Sequence, residues 1–288
     1  MFELIESGLI LSLALSVMFA VGLDIDVRKL FRSMVLSTPL IRGLVVNLFL
    51  LPLFAIVCLG VFNLDINASI GLLLVMICGG GSTGLLFSLH GDADMDFSLT
   101  LFMLLNLLSL VLVPIYLLFM IGFFTPEAEA GEPFDFLYAA VMSIVWFQVL
   151  PLVVGVIVRG QSITLAARIY PYAKKIANIS LISLFVGFSI VKGQLVLELP
   201  MQLIIALILV VVGTCIAGVL SQSPKNAVGR SILFITMVRN LTLALLINDR
   251  VFGDENITLV VLTYGLFMYI VCGVLLIVLR RSVNIVPV

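Results

Sequence analysis

The sequence predicts an all-α integral membrane fold of nine transmembrane helices, and three observations predict it. Hydrophobic residues make up 62% of the 288 residues and charged residues only 11%. Mean hydropathy is +1.32, well outside soluble norms. Apolar runs of roughly 18 or more residues recur along the chain, each long enough as a helix to cross about 30 Å of hydrocarbon. Lys and Arg, finally, crowd onto alternate connections.

The spans run approximately Leu4–Leu23, Thr38–Val61, Ile66–Leu89, Phe97–Phe124, Phe136–Val158, Ile169–Ile190, Gln202–Leu220, Gly229–Ile247 and Ile257–Leu279. Pro39, Pro126, Pro133, Pro200, Pro224 and Gly253 punctuate most of their ends, as helix breakers do. The front of the first span carries Glu3 and Glu6 and no Lys or Arg. That is the wrong charge for a cleaved signal peptide, so the span is expected to stay. No soluble domain of useful size fits between the spans, and the chain is expected to form one transmembrane unit over residues 1–288.

Charge then orients the chain. One side holds Arg28, Lys29, Arg32, Arg42, Arg159, Arg168, Lys174, Lys175, Lys225, Arg230, Arg280 and Arg281; the other holds Lys192 and Arg250. This positive-inside bias puts the N-terminus outside and the C-terminus in the cytoplasm, in a plasma (inner) membrane. The acidic stretch 127–132 falls outside. Cys58, Cys78, Cys215 and Cys272 all lie in apolar spans without paired spacing, and read as reduced, packed hydrophobes.

Two spans are abnormal at half-depth. Arg239 sits in the middle of the eighth span beside Asn240, with Thr236 one turn back. Spacings of three and four put these on one helical face. An ionised side chain there costs several kcal/mol unless it is partnered or lines a wet cavity. The third span is interrupted by Gly79-Gly80-Gly81-Ser82-Thr83-Gly84. An offset of five spans between the two reverses orientation, which is the layout of an inverted-repeat carrier. Unpaired backbone groups at such breaks, and the N-terminal ends of half-helices, suit an anion.

Five segments in order carry a family resemblance. They are Met18-Phe19-Ala20-Val21-Gly22-Leu23-Asp24, the Gly43…Asn47…Pro52 helix, Cys78-Gly79-Gly80-Gly81-Ser82, Gly91-Asp92-Ala93, and Arg239-Asn240. Together, from about residue 15 to residue 280, they resemble the bile acid:sodium symporter family. The resemblance implies panel and core domains, with two broken helices crossing in the core. Panel helices would come from parts of 1–61 and 134–193, and core helices from about 38–125 and 200–281. It implies a chain without the family's first helix, and a secondary transporter of organic anions, carboxylate or sulfonate, bile-acid-like or small keto or hydroxy acids. Ser82 and Asn240 match substrate-contacting positions; Thr83, Gly80, Gly81 and Arg239 complete the expected substrate set.

The departures from the family fall where sodium should bind. The crossing-helix Ser-Asn pair reads approximately Gly84-Leu85, the shared Glu corresponds to Ile235, and the Gln before Asn240 is Arg239. Asn47 replaces another Gln, Thr100 keeps a sodium-site Thr, and Asp96 stands where a Ser is usual. Asn47, Asp96, Thr100, Asn106 and Thr236 are therefore the ion-coupling or core polar set. Sodium remains a possible co-substrate with most of its usual ligands replaced, and no other cofactor is expected. Arg239 either contacts the anion or braces the core by pairing with Asp96 or Asn106. Asp96 also reads as a helix cap, Asn106 as a bridge between helices, and His90 as a surface residue.

Other classes fit less well. One His and no intramembrane carboxylate pair speak against an enzyme. A receptor or sensor on a transporter scaffold, and an arsenite or oxyanion exporter with Cys78 beside the break, remain as alternatives. The expected partners are the bilayer and a small organic anion, with no nucleic acid and no obligate protein partner.

Overall fold

The computed structural model describes residues 2–25, 37–124, 138 and 141–283. Arg28, Lys29, Arg32, the acidic stretch 127–132, Pro126 and Pro133 lie outside the described residues. Among those described, every regular element is helical. In chain order they are α1 (Phe2–Asp24), α2 (Thr38–Phe62), α3 (Ile66–Ile77), α4 (Thr83–His90) and α5 (Met95–Phe124). After them come α6 (Val141–Gln161), α7 (Ile163–Leu197), α8 (Met201–Ser221), α9 (Ala227–Met237), α10 (Leu241–Ile247) and α11 (Glu255–Val283).

Seven helices among the described residues are long and apolar enough to cross a membrane, with Ala227–Phe252 taken as one span; the bent pair Met95–Ser109 and Val111–Met120 makes an eighth if it is one span. The third expected span is instead two short helices, α3 and α4. At about 1.5 Å per residue neither can cross hydrocarbon alone.

Local chemistry explains most boundaries. Asp65 and Asn226 stand at the N-caps of α3 and α9, where their side chains accept from the N–H of Ala68 and Gly229. Each satisfies one of the orphan donors of a helix start. Ser162 does the same for α7. Pro52 and Pro151 each follow a π-helical turn, Val46–Leu50 and Val145–Val149. Proline lacks the N–H that would close the next α-helical ring, and the widened turn absorbs the loss. Asn63, left-handed with φ 47°, ends α2. Asp94 caps α5 through its side chain, which accepts from Phe97 N–H at 3.0 Å. The expected cap, Asp96, lies exposed in the first turn: the cap belongs to the residue preceding the helix, and the sequence offered two aspartates two positions apart.

The chain divides into two compact units. One comprises Met1–Arg32, Pro114–Glu198 and Thr242–Leu259; the other comprises Ser33–Val113, Leu199–Leu241 and Val260–Val288. In the first, α1 packs on α6 and α7 with its backbone almost touching α6. A Cβ added to Gly155 would lie 2.6 Å from the carbonyl oxygen of Phe19, and one on Gly22 would collide with the carbonyl of Leu152. Small residues let membrane helices approach this closely. Ala20 and Leu23 of α1 pack with Ala166 and Ala173 of α7. The outer face of α7 presents Ile176, Ile179, Ile182, Val186 and Ile190, all exposed, as a lipid-facing helix should.

In the second unit α8 packs on α9 and α2, and α3 is buried from Ala68 onward. In this unit every residue of 231–241 is buried. That stretch is sheathed in protein rather than in lipid, so a charge within it can be held by protein groups.

Candidate functional site: two paired helix breaks

The two interrupted helices meet at their breaks, within the second unit. Helix α3 stops at Ile77 and α4 begins at Thr83; α9 stops at Met237 and α10 begins at Leu241. Gly81 donates its backbone N–H to the carbonyl of Val238 at 2.9 Å, and Asn240 donates its own to the carbonyl of Cys78 at 3.0 Å. Each break thus supplies the other's missing hydrogen bonds, as buried backbone in a membrane requires. The glycines make the approach possible. Gly80 has φ +69°, a left-handed conformation that favours glycine. A Cβ on Gly81 would run into the Arg239 carbonyl.

This geometry corrects the single helical face expected for Thr236, Arg239 and Asn240, and the break is one of the two that the resemblance implied. Thr236 lies in the last turn of one half-helix, whereas Arg239 and Asn240 form the link to the next. Three adjacent polar or β-branched positions could not show from periodicity that the helix stops there.

Arg239 is 1% exposed and heads the fully buried side chains in size. Its Nε donates to the carbonyl of Val75 at 3.3 Å, its Nη2 to the carbonyl of Met76, and its Nη1 to Oδ1 of Asn47 at 2.6 Å. Helix ends leave their last carbonyls without intrahelical partners. In the last turn of α3, Leu74 and Ile77 are served by the N–H groups of Cys78 and Gly79. Val75 and Met76 are the two the guanidinium takes. The positive charge also sits at the negative pole of α3. The expected pairing of Arg239 with Asp96 or Asn106 is therefore replaced by Asn47 and two carbonyls.

Asn47 is a hinge in this network. Its Nδ2 donates to Thr236 Oγ1 and to the carbonyl of Gly43, both at 2.8 Å, while its Oδ1 accepts from Arg239. The π-helical turn around Asn47 lies five residues before Pro52. Asn106 is a second bridge: Nδ2 donates to the carbonyls of Gly80 at 3.1 Å and Phe102 at 2.8 Å, and Oδ1 accepts from Asn240 Nδ2 at 3.1 Å. Arg239, Asn240, Asn47, Thr236, Asn106 and Gly80 are thus one connected set.

Ser82 and Thr83 stand at the start of α4, both half-buried. Thr83 Oγ1 lies 3.1 Å from the hydroxyl of Tyr269. The side chain of Ser82 makes no capping bond. Among the described residues, the N–H groups of Ser82 and Thr83 have no protein acceptor. Among the described residues Thr100 and Asp96 are not part of this set: Thr100 donates to the carbonyl of Asp96 at 2.8 Å, a bond internal to α5. His90 is exposed, and its carbonyl accepts from Arg280 Nε at 2.7 Å.

Sequence reasoning missed the carbonyls of Val75 and Met76, which carry no residue-type signal. It also missed Tyr269 as partner of Thr83, and Met268, whose Sδ lies 3.2 Å from the Arg239 N–H.

A comparison with curated proteins finds no match to this chain. The defining pattern of the sodium bile acid symporter family matches residues 11–198. That stretch runs from within α1, past the first break, to the end of α7, and it ends before Arg239 and Asn240. It covers well over half of the chain, which therefore belongs to the sodium bile acid symporter family, whose members are membrane transporters and not enzymes.

Proposed function

We propose that the chain is a secondary transporter that moves organic anions by alternating access across a plasma (inner) membrane, with its C-terminus in the cytoplasm. The anion is a carboxylate or sulfonate, bile-acid-like or a small keto or hydroxy acid. One observation carries this reading. Beside the paired breaks, the start of α4 offers two unused N–H groups and the uncapped Ser82 hydroxyl. Donors at the positive end of a half-helix are what an anionic headgroup takes. The two half-helix pairs support an inverted repeat with a core of crossing helices: each opens on a side-chain N-cap (Asp65, Asn226) and breaks after 12 or 11 residues. Such repeats carry substrate sites near the bilayer midplane. Ser82, Thr83, Gly80, Gly81 and Asn240 belong to the substrate side of this reading, and Arg239 stands behind them.

Counterflow in proteoliposomes tests the proposal with cholate, taurocholate, pyruvate and lactate as probes. Saturable uptake of at least one, accelerated by the same solute inside, is the expected result. Binding without flux makes the chain a receptor on a transporter scaffold. Neither binding nor flux for any probe overturns the anion reading.

A further inference from the structure

We infer that the guanidinium of Arg239 is a tethered replacement for a coupling cation, so that the crossing is completed without bound sodium. The inference rests on the transport reading above and deepens it.

Half-helix C-termini in secondary carriers point carbonyl oxygens at a coupling ion. In this chain the matching oxygens are the carbonyls of Val75 and Met76 at the end of α3, with Oδ1 of Asn47 beside them. All three already accept from Arg239. The oxygen set fits a small hard cation in kind, but a protein cation occupies it. A sodium ion at those oxygens would lie within a few ångströms of a fixed positive charge, in a region closed to water. Among the described residues no carboxylate lies within ion-pair distance of Arg239, so nothing there offsets two cations at once. The apolar, fully buried Ile235 on α9 adds no ligand.

A guanidinium also differs from an ion in two ways that matter for transport. Its charge is not titrated away in proteins, and it cannot leave with the substrate. The cation that assembles the crossing is then present in every state of the cycle, and the driving force of a sodium gradient has nothing to act upon.

Thermal unfolding of the purified full-length chain in detergent tests this without any substrate. The comparison is sodium chloride against choline chloride at equal ionic strength. The wild type is expected to unfold at the same temperature in both. Arg239→Gln is expected to unfold earlier in choline and to regain about 2–4 °C in sodium, the size of shift that a ligand at a few times its dissociation constant gives a chain of roughly this length. Sodium-specific stabilisation of the wild type overturns the inference, as does a folded Arg239→Gln protein indifferent to sodium. Should Arg239→Gln not fold, Arg239→Lys keeps the charge and is expected to ignore sodium; a sodium response from it counts against the inference. A chain with the expected sodium pattern that moves no anion in counterflow refutes the transport reading alone. Anion flux with a sodium-stabilised wild type refutes only the tethered cation.

Discussion

Nη1 of Arg239 donates to Oδ1 of Asn47 at 2.6 Å, and Nδ2 of the same asparagine donates to Thr236 Oγ1 at 2.8 Å. One amide thus ties the link residue after α9 to α9's own last turn. Neither end has water to fall back on, because Asn47 and Thr236 are 0% exposed and Arg239 is 1% exposed.

Removing that amide should be costly. Asn47→Ala leaves a charged donor unpaired in a buried site, and a loss of about 3 kcal/mol is expected. Asp96→Asn, on an exposed first turn, should change stability by less than about 0.5 kcal/mol. Thermal unfolding of both variants in detergent checks the contrast. Equal effects would show that the buried network does not stabilise the fold.

The glycine break should tolerate no side chain at its tightest point. In Gly81→Ala the new Cβ meets the Arg239 carbonyl, which is backbone and cannot swing aside. The expected cost is about 1–3 kcal/mol, together with loss of anion flux. Flux at the wild-type rate would mean that the two breaks separate easily.

Thr83 and Tyr269 share a hydroxyl–hydroxyl contact of 3.1 Å, and the Tyr269 ring stacks on Phe87 of α4. A double-mutant cycle of Thr83→Val and Tyr269→Phe should return a coupling of about 0.6 kcal/mol, typical of polar contacts between membrane helices. Strict additivity of the two changes would remove the bond from the account.

The α1–α6 seam offers a test remote from the breaks. Gly155→Ala should destabilise by about 1–3 kcal/mol, since its Cβ would stand 2.6 Å from the Phe19 carbonyl oxygen. Because Gly155 lies in the other unit, the response of this variant to sodium should match the wild type's. A new sodium response in Gly155→Ala would mean that general loosening, rather than the missing guanidinium, creates it.

Hydropathy marked α1, α2, α6, α7, α8 and α11 because a lipid-facing helix must be apolar over its whole length. The run of glycines at 79–81 announced the first break, since a helix interior seldom accepts three. The second break was marked only by the resemblance, which implied two broken helices. Val238-Arg239-Asn240 carries no glycine or proline, and its backbone is held open by the partner break rather than by its own residues. Arg239 stands out in the sequence as a charge in an apolar span, yet two of its three side-chain partners are main-chain carbonyls, which every residue possesses. Periodicity cannot point to those. Asn47 was marked only by resemblance, and the fold gives it a use: it sits on a π-helical turn set by Pro52, facing the link after α9.

The most direct measurement is the initial rate of anion uptake into proteoliposomes, with sodium chloride or choline chloride at equal ionic strength on both sides and then with an inward sodium gradient. With Arg239 as the permanent cation of the crossing, the rate should be the same in all three conditions. Uptake that appears only when sodium flows inward would contradict the account.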